Sequence, residues 1–303
     1  MRLGFVGLGS LGRHLAASLL RAGFPLTVHD RREEAGRQLV AAGAAWAHSP
    51  AEVAAASESV FTCLPSPRAV DEVIAGENGV LAGLPAGGTW IDSSTNAPRE
   101  LQRLAALAAA VGVNCLEAPV TGGVHLAASG EITVLVGGEA KVYEAHLPAF
   151  EAIGGQVFHI GPLGSAATIK VITNMLAFIH LVAAGEALML AKRAGLDLAQ
   201  SFDVIRASSG NSFVHETESQ VILNGSYDIG FTIDLACKDL GFALELGREH
   251  HVPLELADLV ERTFSRAREE YGGSAWSPMV VKLLEDALGT DLRAPGFPPA
   301  LTG

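Results

Sequence analysis

The glycine-rich sequence near the N-terminus constrains the fold more strongly than any other feature. Residues 2–6 are apolar and predict a short strand, GLGSLG follows at residues 7–12, and residues 13–22 have the leucine spacing of a helix. In a strand–GxGxxG–helix unit, the first glycine permits a tight turn, the second lets the backbone approach a pyrophosphate, and the third lets the helix pack on the strand. The helix N-terminus faces the anion. The pattern therefore predicts dinucleotide binding, with cofactor contacts at Gly7, Leu8, Gly9, Ser10, Leu11 and Gly12.

The end of the second predicted strand bears on the choice of cofactor. Residues 25–29 are apolar and lead into Asp30, 18 residues after Gly12. A carboxylate there accepts hydrogen bonds from the adenosine ribose 2′-OH and repels a 2′-phosphate, which favours NAD. Arg31 and Arg32 follow directly, and their guanidinium groups could hold that phosphate, so NADP stays open.

Strand-like and helix-like segments alternate as far as residue 160, which predicts a parallel, doubly wound α/β sheet. Ligands bind at the carboxyl ends of such strands. Leu64 and Pro65 follow the strand at residues 59–63 and are candidate cofactor contacts, with a proline turn that binds no ligand as the alternative. Thr95 and Asn96 follow the next strand and either cap the helix that begins at Pro98 or contact the nicotinamide side of the cofactor.

A second glycine-rich sequence, APVTGGVH at residues 118–125, lies between two predicted strands. The hydroxyl of Thr121 and the successive N–H groups of Gly122 and Gly123 would form a nest that suits a carboxylate. A glycine-rich turn without a ligand is the alternative. We interpret His125 as an ordinary polar loop residue rather than a specificity contact.

The stretch from Gly161 to Ala191 predicts one helix of about seven turns. It is apolar on all sides and must therefore be largely buried. Lys170 and Asn174 are four residues apart and share a face of this helix. A buried amine beside an amide is costly unless it has a function, whereas the alternative is that Lys170 extends to solvent and Asn174 caps neighbouring backbone.

The remainder of the chain has a helical pattern and no strand alternation. We predict a dinucleotide-binding domain at residues 1–162, an all-α domain at residues 163–290, and an extended, proline-containing tail at residues 291–303. Phe231, Lys238 and Asp239 fall in one predicted helix. Since adjacent helical residues point about 100° apart, we expect no direct pair between Lys238 and Asp239.

Composition excludes several classes of protein. Acidic residues outnumber basic ones by 33 to 21, and the net charge of −12 argues against nucleic acid or anionic lipid as a partner. The three cysteines are far apart and have no metal-ligand spacing, so we expect no metal site, no disulfide framework and a reducing cytoplasm. We expect no export signal, because the glycine loop begins at residue 7, and we expect no membrane span, because the most apolar window, residues 171–185, is too short for a bilayer.

Four stretches together identify a family resemblance: GLGSLG with Asp30, EAPVTGGVHLAASG, GPLGSAATIKVITN, and KDLGFA after Cys237. They resemble the β-hydroxyacid dehydrogenases, which include 3-hydroxyisobutyrate dehydrogenase, tartronate semialdehyde reductase and glyoxylate or succinic semialdehyde reductases. The match covers nearly the whole chain. It implies an N-terminal Rossmann-type domain, a long interdomain helix and an all-α second domain that builds a homodimer or homotetramer.

The resemblance also implies roles for individual residues. Lys170 would be the catalytic lysine, Asn174 would help to hold the substrate, and the sequence Thr121-Gly122-Gly123 would receive the substrate carboxylate. Further residues around the site would be Thr95 at the cofactor, Lys238 at cofactor and substrate, and Asp239 and Phe231 at the substrate. Three positions depart from the family: Thr121 replaces a more usual serine, Leu11 a common methionine, and His125-Leu126 small residues, so the usual small substrates cannot be assumed.

These features predict reversible hydride transfer between NAD(P) and a small, anionic β-hydroxy acid or its semialdehyde. Lys170 would take the hydroxyl proton during oxidation and return it during reduction, which requires the pKa of its amine to fall from about 10.4 toward the working pH. Burial beside an oxidised nicotinamide would lower it. The alternatives are an imine reductase, which shares this architecture by resemblance, and a non-catalytic dinucleotide-binding module. Lys170 argues against both, because imine reductases generally lack a lysine at this position and a binding module would have no reason to keep an amine in an apolar helix.

Overall fold

The computed structural model describes residues 1–298 and 301. The chain divides into two compact units, Met1–Lys170 and the residues from Val171 onward. Each unit has its own hydrophobic core.

The first unit is built on one sheet of nine strands. The strands are β1 Leu3–Val6, β2 Leu26–His29, β3 Ala45–Trp46, β4 Ser59–Thr62, β5 Thr89–Asp92, β6 Asn114–Glu117, β7 Val120–Thr121, β8 Ile132–Gly138 and β9 Gly154–Gly161. Their order is β3-β2-β1-β4-β5-β6-β8-β7, with β9 paired to β8. The strands from β1 to β6 are mutually parallel, whereas β8 runs antiparallel to β6 and β7. Strand order reverses between β1 and β4, which creates a crevice at their carboxyl ends.

Helices cover both faces of this sheet. They are α1 Gly12–Arg21, α2 Arg37–Ala41, α3 Pro50–Ala55, α4 Pro67–Ala75, α5 Val80–Gly83, α6 Pro98–Ala110, α7 Val124–Ser129 and α8 Ala140–Ile153, with a 3-10 helix at Glu33–Gly36. The first unit has two clusters of buried apolar residues: one contains Phe5, Phe61 and Phe150, and the second contains Trp90 and Leu104. Every residue of β1, β4 and β5 is buried, as parallel strands between two helical layers must be. The predicted doubly wound sheet is confirmed.

The prediction of a loop at His125 is wrong. His125 lies in the first turn of α7, which follows Gly123 and is terminated by Gly130, a C-cap residue in the left-handed region. Ala127 is buried in the core and Leu126 packs against it, which anchors this short helix. A C-terminal glycine at residue 130 is the sequence signal that marks its end.

The second unit is helical. Its elements are most of α9 Ser165–Arg193, then α10 Leu198–Arg206, α11 Phe213–Asn224, α12 Ile233–Glu249, α13 Glu255–Tyr271, a 3-10 helix at Ser277–Val281, and α14 Lys282–Leu288. Its core includes Phe178, Phe202 and Phe264. Gly185 lets the 3-10 helix approach α9, because a methyl group on Gly185 would lie 2.5 Å from a methyl carbon of Val281.

Residues 291–298 contain no helix or strand, yet they are anchored to the second unit. Leu292 is fully buried, and its N–H donates to Glu285 Oε1 at 2.7 Å. The ring of Phe297 packs edge-on against Phe202 at 5.1 Å. This part of the segment that we predicted as a tail is therefore fixed by packing, while residues 299, 300, 302 and 303 lie outside the described residues.

Within the described part of the chain, α9 is the one helix that is long and apolar enough to cross a membrane by length and composition. Core helices of soluble proteins also meet these criteria, so the observation is weak evidence for a membrane span.

Candidate active site

The three glycines of the first motif have three different environments. Gly7 has φ +98°, and a methyl group there would lie 2.4 Å from the carbonyl oxygen of Cys63. Gly12 is the first residue of α1, and a methyl group on it would lie 2.0 Å from the carbonyl oxygen of Gly7. A methyl group on Gly9, in contrast, would meet nothing within 4 Å. The loop is thus closed at its two ends and open at its centre, where a pyrophosphate needs close access to backbone.

Asp30 fastens the strand β2 to this loop. Its Oδ2 accepts a hydrogen bond from the N–H of Leu8 at 2.8 Å, and its Oδ1 accepts one from the N–H of Arg32 at 2.9 Å. Each carboxylate oxygen keeps a second lone pair for a ribose hydroxyl. Arg31 is exposed to solvent. Asp30 therefore both shapes the glycine loop and offers the acceptor that favours an unphosphorylated ribose.

A buried network ties together the loops that follow β4 and β5. The indole N–H of Trp90 donates to Thr62 Oγ1 at 3.0 Å, and that hydroxyl donates to Asp92 Oδ1 at 2.9 Å. The same oxygen accepts the N–H of Ser94 at 3.1 Å. Ser94 Oγ in turn accepts the N–H of Leu64 at 2.9 Å. Burial raises the pKa of Asp92, whereas the hydrogen bonds from Ser94 and Thr62 oppose that rise.

The predicted cofactor residues in these two loops differ in exposure. Leu64 is half-buried and packs against the core, whereas Pro65 is exposed. Pro67 begins α4, with Ser66 as its N-cap, so the sequence here forms the start of a helix rather than a simple proline turn. Thr95 is half-buried after β5.

Neither Thr95 nor Asn96 occupies the N-cap position of α6. That position is held by Ala97, whose own side chain makes no capping hydrogen bond. Asn96 Oδ1 instead accepts the N–H of Ala97, its immediate neighbour, at 2.9 Å. Proline at the first helical position, Pro98, removes one of the N–H groups that a cap would satisfy.

The sequence Thr121-Gly122-Gly123 forms the turn between β7 and α7. Gly122 has φ +125° and Gly123 has φ +92°, so both have backbone conformations that favour glycine. Gly123 directly precedes the first turn of α7. Close behind it, His125 is half-buried, and that burial lowers the pKa of its imidazole. These φ angles are compatible with the nest of successive N–H groups that the sequence predicts, and carboxylate binding there stays a prediction.

Glu117 organises the beginning of α9. Its Oε1 accepts the N–H groups of Gly164 and Ala166 at 2.7 and 2.8 Å, and its Oε2 accepts the N–H of Ala167 at 3.0 Å. Lys170 lies one turn further along α9 and is buried, with 7% of its surface exposed. The sequence motifs did not single out Glu117, although an acid as the last residue of a buried strand, just before the glycine turn, was a usable signal.

In the second unit, Asn174, Asp239 and Lys238 form one polar chain. Asn174 Nδ2 donates to Asp239 Oδ2 at 2.6 Å, and Lys238 Nζ lies 3.0 Å from Asp239 Oδ1. Asp239 is fully buried and Asn174 is 9% exposed. Our expectation that Lys238 and Asp239 would not pair is wrong, because the long lysine side chain bends back toward its neighbour.

Phe231 does not belong to the helix that carries Lys238. The helix α12 begins at Ile233 with Thr232 as its N-cap, and Phe231 lies in the preceding connection. Its carbonyl oxygen accepts the N–H of Ser277 at 2.8 Å, and its ring packs 5.9 Å from that of Phe178. Thr232, one residue after the predicted start, was the cap signal that marks the true boundary.

The geometry of the first unit fits a bound dinucleotide. The crevice lies at the reversal of strand order, the glycine loop leaves its centre open, and Asp30 stands at the end of β2. Together these features define a Rossmann-type dinucleotide-binding protein. Among the described residues, no group of three or more His, Cys, Asp or Glu side chains could hold a metal ion, and no disulfide joins any two of the three cysteines.

Two family models match nearly the whole length of the chain. The NAD-binding domain of 6-phosphogluconate dehydrogenase matches residues 2–161. The NAD-binding domain of NADP-dependent 3-hydroxyisobutyrate dehydrogenase matches residues 164–284. The chain belongs to the β-hydroxyacid dehydrogenase family and is an NAD(P)-dependent oxidoreductase. The resemblance drawn from the four sequence motifs is confirmed.

Characterised relatives are similar over almost their full length. The 2-(hydroxymethyl)glutarate dehydrogenase of Eubacterium barkeri is 33% identical, covering 96% of this chain and 97% of that protein. The L-threonate dehydrogenase of Cupriavidus necator is 35% identical, covering 93% and 95%. The crystal structure of a 3-hydroxyisobutyrate dehydrogenase from Salmonella typhimurium has a TM-score of 0.87 at 33% identity, covering 93% and 99%.

The imine reductase alternative has weaker support. An imine reductase from Pseudomonas sp. has a TM-score of 0.63 at 20% identity, which shows a shared fold alone. The relatives at 33–35% identity are hydroxy-acid dehydrogenases. The dehydrogenase interpretation is therefore the one that the comparisons support.

Proposed function

We propose that this enzyme interconverts a small β-hydroxy acid and its semialdehyde, with Lys170 as the general acid and base. The observation that carries the proposal is a buried lysine on α9, one turn after backbone that a buried carboxylate holds in place. Amines are rarely buried without a function, because removing the charged form from water is costly. Burial disfavours the charged form of an amine, and a general base near neutral pH has to be in the uncharged form.

The site residues of this chain have the following proposed roles. When bound, the nicotinamide accepts or supplies the hydride. Lys170 Nζ removes the proton of the substrate hydroxyl during oxidation and returns it to the carbonyl oxygen during reduction. Asn174 hydrogen-bonds the substrate without adding charge, and its own Nδ2 is oriented by Asp239. Lys238 and Phe231 complete the proposed substrate and cofactor contacts.

We infer that the substrate is a small anion held by its carboxylate. Thr121, Gly122 and Gly123 present a hydroxyl and backbone N–H groups at a turn with two positive φ angles, an arrangement that suits a carboxylate. The relatives act on hydroxymethylglutarate and threonate, which are hydroxy acids of different size. Threonine at position 121 keeps the hydroxyl of the more usual serine and adds a methyl group.

For the cofactor, we propose contacts at the glycine loop and at the loops after β4 and β5, with NAD preferred over NADP. Asp30 supports this preference, because a carboxylate at the end of β2 repels a 2′-phosphate. Arg31 is exposed beside it, and its guanidinium group could bind the 2′-phosphate of NADP. The proposed contacts are Gly7, Leu8, Gly9, Ser10, Leu11, Gly12, Asp30, Arg31, Leu64, Pro65, Thr95 and Lys238.

We further propose that the enzyme acts in the cytoplasm as a homodimer or homotetramer. The absence of a disulfide among the described residues is compatible with a reducing compartment. Exposed leucines on α9, Leu176 and Leu190, agree with a self-association surface. Light scattering after size-exclusion chromatography measures the subunit number, and a monomer at micromolar concentration would refute the oligomer.

The deciding experiment is a panel of β-hydroxy acids assayed with NAD and with NADP. Lys170→Ala is expected to lower kcat by at least ~100-fold, the usual scale of acid–base catalysis, while cofactor affinity changes little. Lys192→Ala, the same substitution near the end of the same helix, is the matched control and should leave kcat unchanged. Turnover that survives in Lys170→Ala would refute the assignment of the general base.

A further inference from the structure

Glu117 is a buried carboxylate that no substrate role explains. It is 1% exposed, it is the last residue of β6, and all three of its hydrogen bonds go to backbone N–H groups at the start of α9. The first N–H groups of any helix have no partner within the helix. Here the N–H of Ser165 donates to the carbonyl oxygen of Pro162 at 3.1 Å, and Glu117 takes those of Gly164, Ala166 and Ala167.

The neighbouring strand leaves room for this carboxylate. Gly137 on β8 is the register partner of Glu117 on β6. A methyl group on Gly137 would lie 2.1 Å from Glu117 Oε1, so any larger residue there would displace the carboxylate. The strand β8 leaves space for the Glu117 side chain, and the start of α9 supplies its hydrogen-bond donors. Because these two elements are separate in sequence, their joint fit to Glu117 argues against an incidental contact.

The position of Lys170 depends on this anchor. A helix is stiff over one turn, so the turn that carries Ala166 and Ala167 sets the direction in which the next turn projects. We propose that Glu117 is a positioning residue of the active site, whose ionised carboxylate fixes the first turn of α9 and thereby the place and charge of the Lys170 amine. This inference rests on the proposed role of Lys170 as general base.

The charge of Glu117 has a second effect on that amine. The N-terminus of a helix has a positive potential, which disfavours the ammonium form of a lysine nearby, and the Glu117 carboxylate, bound to the first turn of α9, offsets it. The other titratable groups around Glu117 are Asp92, its register partner on β5, and Cys115 on its own strand. Burial raises the pKa of Glu117 and Asp92 repels its charge, while the three backbone N–H groups favour the ionised form.

Two variants separate position from charge. Glu117→Gln removes the charge and places an amide N–H₂ against one of the three backbone donors, while Gly137→Ala keeps the charge and displaces the carboxylate. Each is expected to lower kcat by ~10- to ~100-fold with KM for the cofactor changed less than ~3-fold, because misplacement of a catalytic group acts on the chemical step. Only Glu117→Gln should move the acid limb of the kcat profile, to lower pH by ~0.5–1 unit, since loss of a nearby negative charge favours the free amine.

Hydrogen exchange tests the positioning without any turnover. Amides in the peptide spanning residues 164–170 should exchange at least ~10-fold faster in Glu117→Gln and in Gly137→Ala than in the parent enzyme. Glu285→Gln is the matched control: Glu285 is also buried and also accepts a backbone N–H, from Leu292, but it lies on α14. It should change neither the exchange of this peptide nor kcat.

The outcomes distinguish this inference from the proposed function. If exchange at residues 164–170, kcat and the pH profile of both Glu117→Gln and Gly137→Ala match those of the control, the positioning role is refuted. If the parent enzyme turns over no hydroxy acid, the proposed function fails, and the exchange measurement still decides whether Glu117 fixes the start of α9. If Glu117→Gln does not fold, Gly137→Ala provides the same test with the charge retained.

Discussion

Glu218 on α11 offers a test of how burial affects the stability of this protein. Burial raises the pKa of its carboxyl from 4.5 to about 8, and among the described residues Oε2 has no hydrogen-bond partner. Because the folded chain holds this proton more tightly than the unfolded chain, its contribution to stability is fully present below about pH 4.5 and is lost as the pH rises through about 8. Between these limits, the folded protein should lose stability as the pH increases.

The magnitude follows from the two pKa values. Each unit of difference corresponds to about 1.4 kcal/mol, so raising the pH from about 5 to about 7.5 should cost the folded state roughly 2–4 kcal/mol through this one group. Glu218→Gln has no proton to lose and should be free of that cost. The free energy of unfolding of the variant, minus that of the parent, should therefore rise by roughly 2–4 kcal/mol over the same interval.

Urea unfolding followed by far-UV circular dichroism at the two pH values measures this difference. Taking the difference between variant and parent at each pH cancels the contributions of all other titrating groups. Glu216→Gln, on the exposed side of the same helix, is the control for the loss of one negative charge. A variant-minus-parent difference that stays flat between about pH 5 and about pH 7.5 would show that Glu218 is ionised at no cost and would refute the reasoning.

Two further predictions concern the first unit. Gly12→Ala should destabilise the first unit by about 1–3 kcal/mol, because the new methyl group meets the carbonyl oxygen of Gly7. Gly9→Ala should fold normally and bind the cofactor at least ~10-fold more weakly. Thermal unfolding measures the stability of each variant and a fluorescence titration with NADH measures its cofactor affinity, and equal stability of the two variants would contradict the prediction. Thr62→Val should cost about 1–3 kcal/mol, because it leaves the Trp90 indole without its acceptor. A double-mutant cycle with Trp90→Phe measures the coupling, and strict additivity would disprove it.

The local sequence predicted the secondary structure correctly wherever neighbouring residues alone decide it. The glycine loop was predicted correctly because the tight turn at Gly7 and the close packing at Gly12 depend on residues within a few positions and on one adjacent strand. The long helix was predicted correctly because apolar residues without interruption leave few other options. The short helix α7 was missed because six residues contain too few repeats to show helical periodicity.

The residues that orient the candidate site could not be found in this way. Asn174 bonds to Asp239 across 65 residues of sequence, and Glu117 bonds to the start of α9 across 47 to 50 residues. Nothing in the local pattern specifies such pairs, because they exist only after strands and helices have packed. The pairing of Lys238 with Asp239 was mispredicted for a related reason: helical geometry fixes the Cβ directions but not the path of a flexible side chain.

By itself, the sequence determined the fold class, the cofactor loop and the membership of a dehydrogenase family, since each of these is encoded in short motifs whose chemistry is local. Only the tertiary structure decided which carboxylate supports the helix that carries Lys170, and which partner orients Asn174. The physical reason is that a buried charge is stable only where several donors from distant segments converge on it, and that convergence is a property of the packed chain.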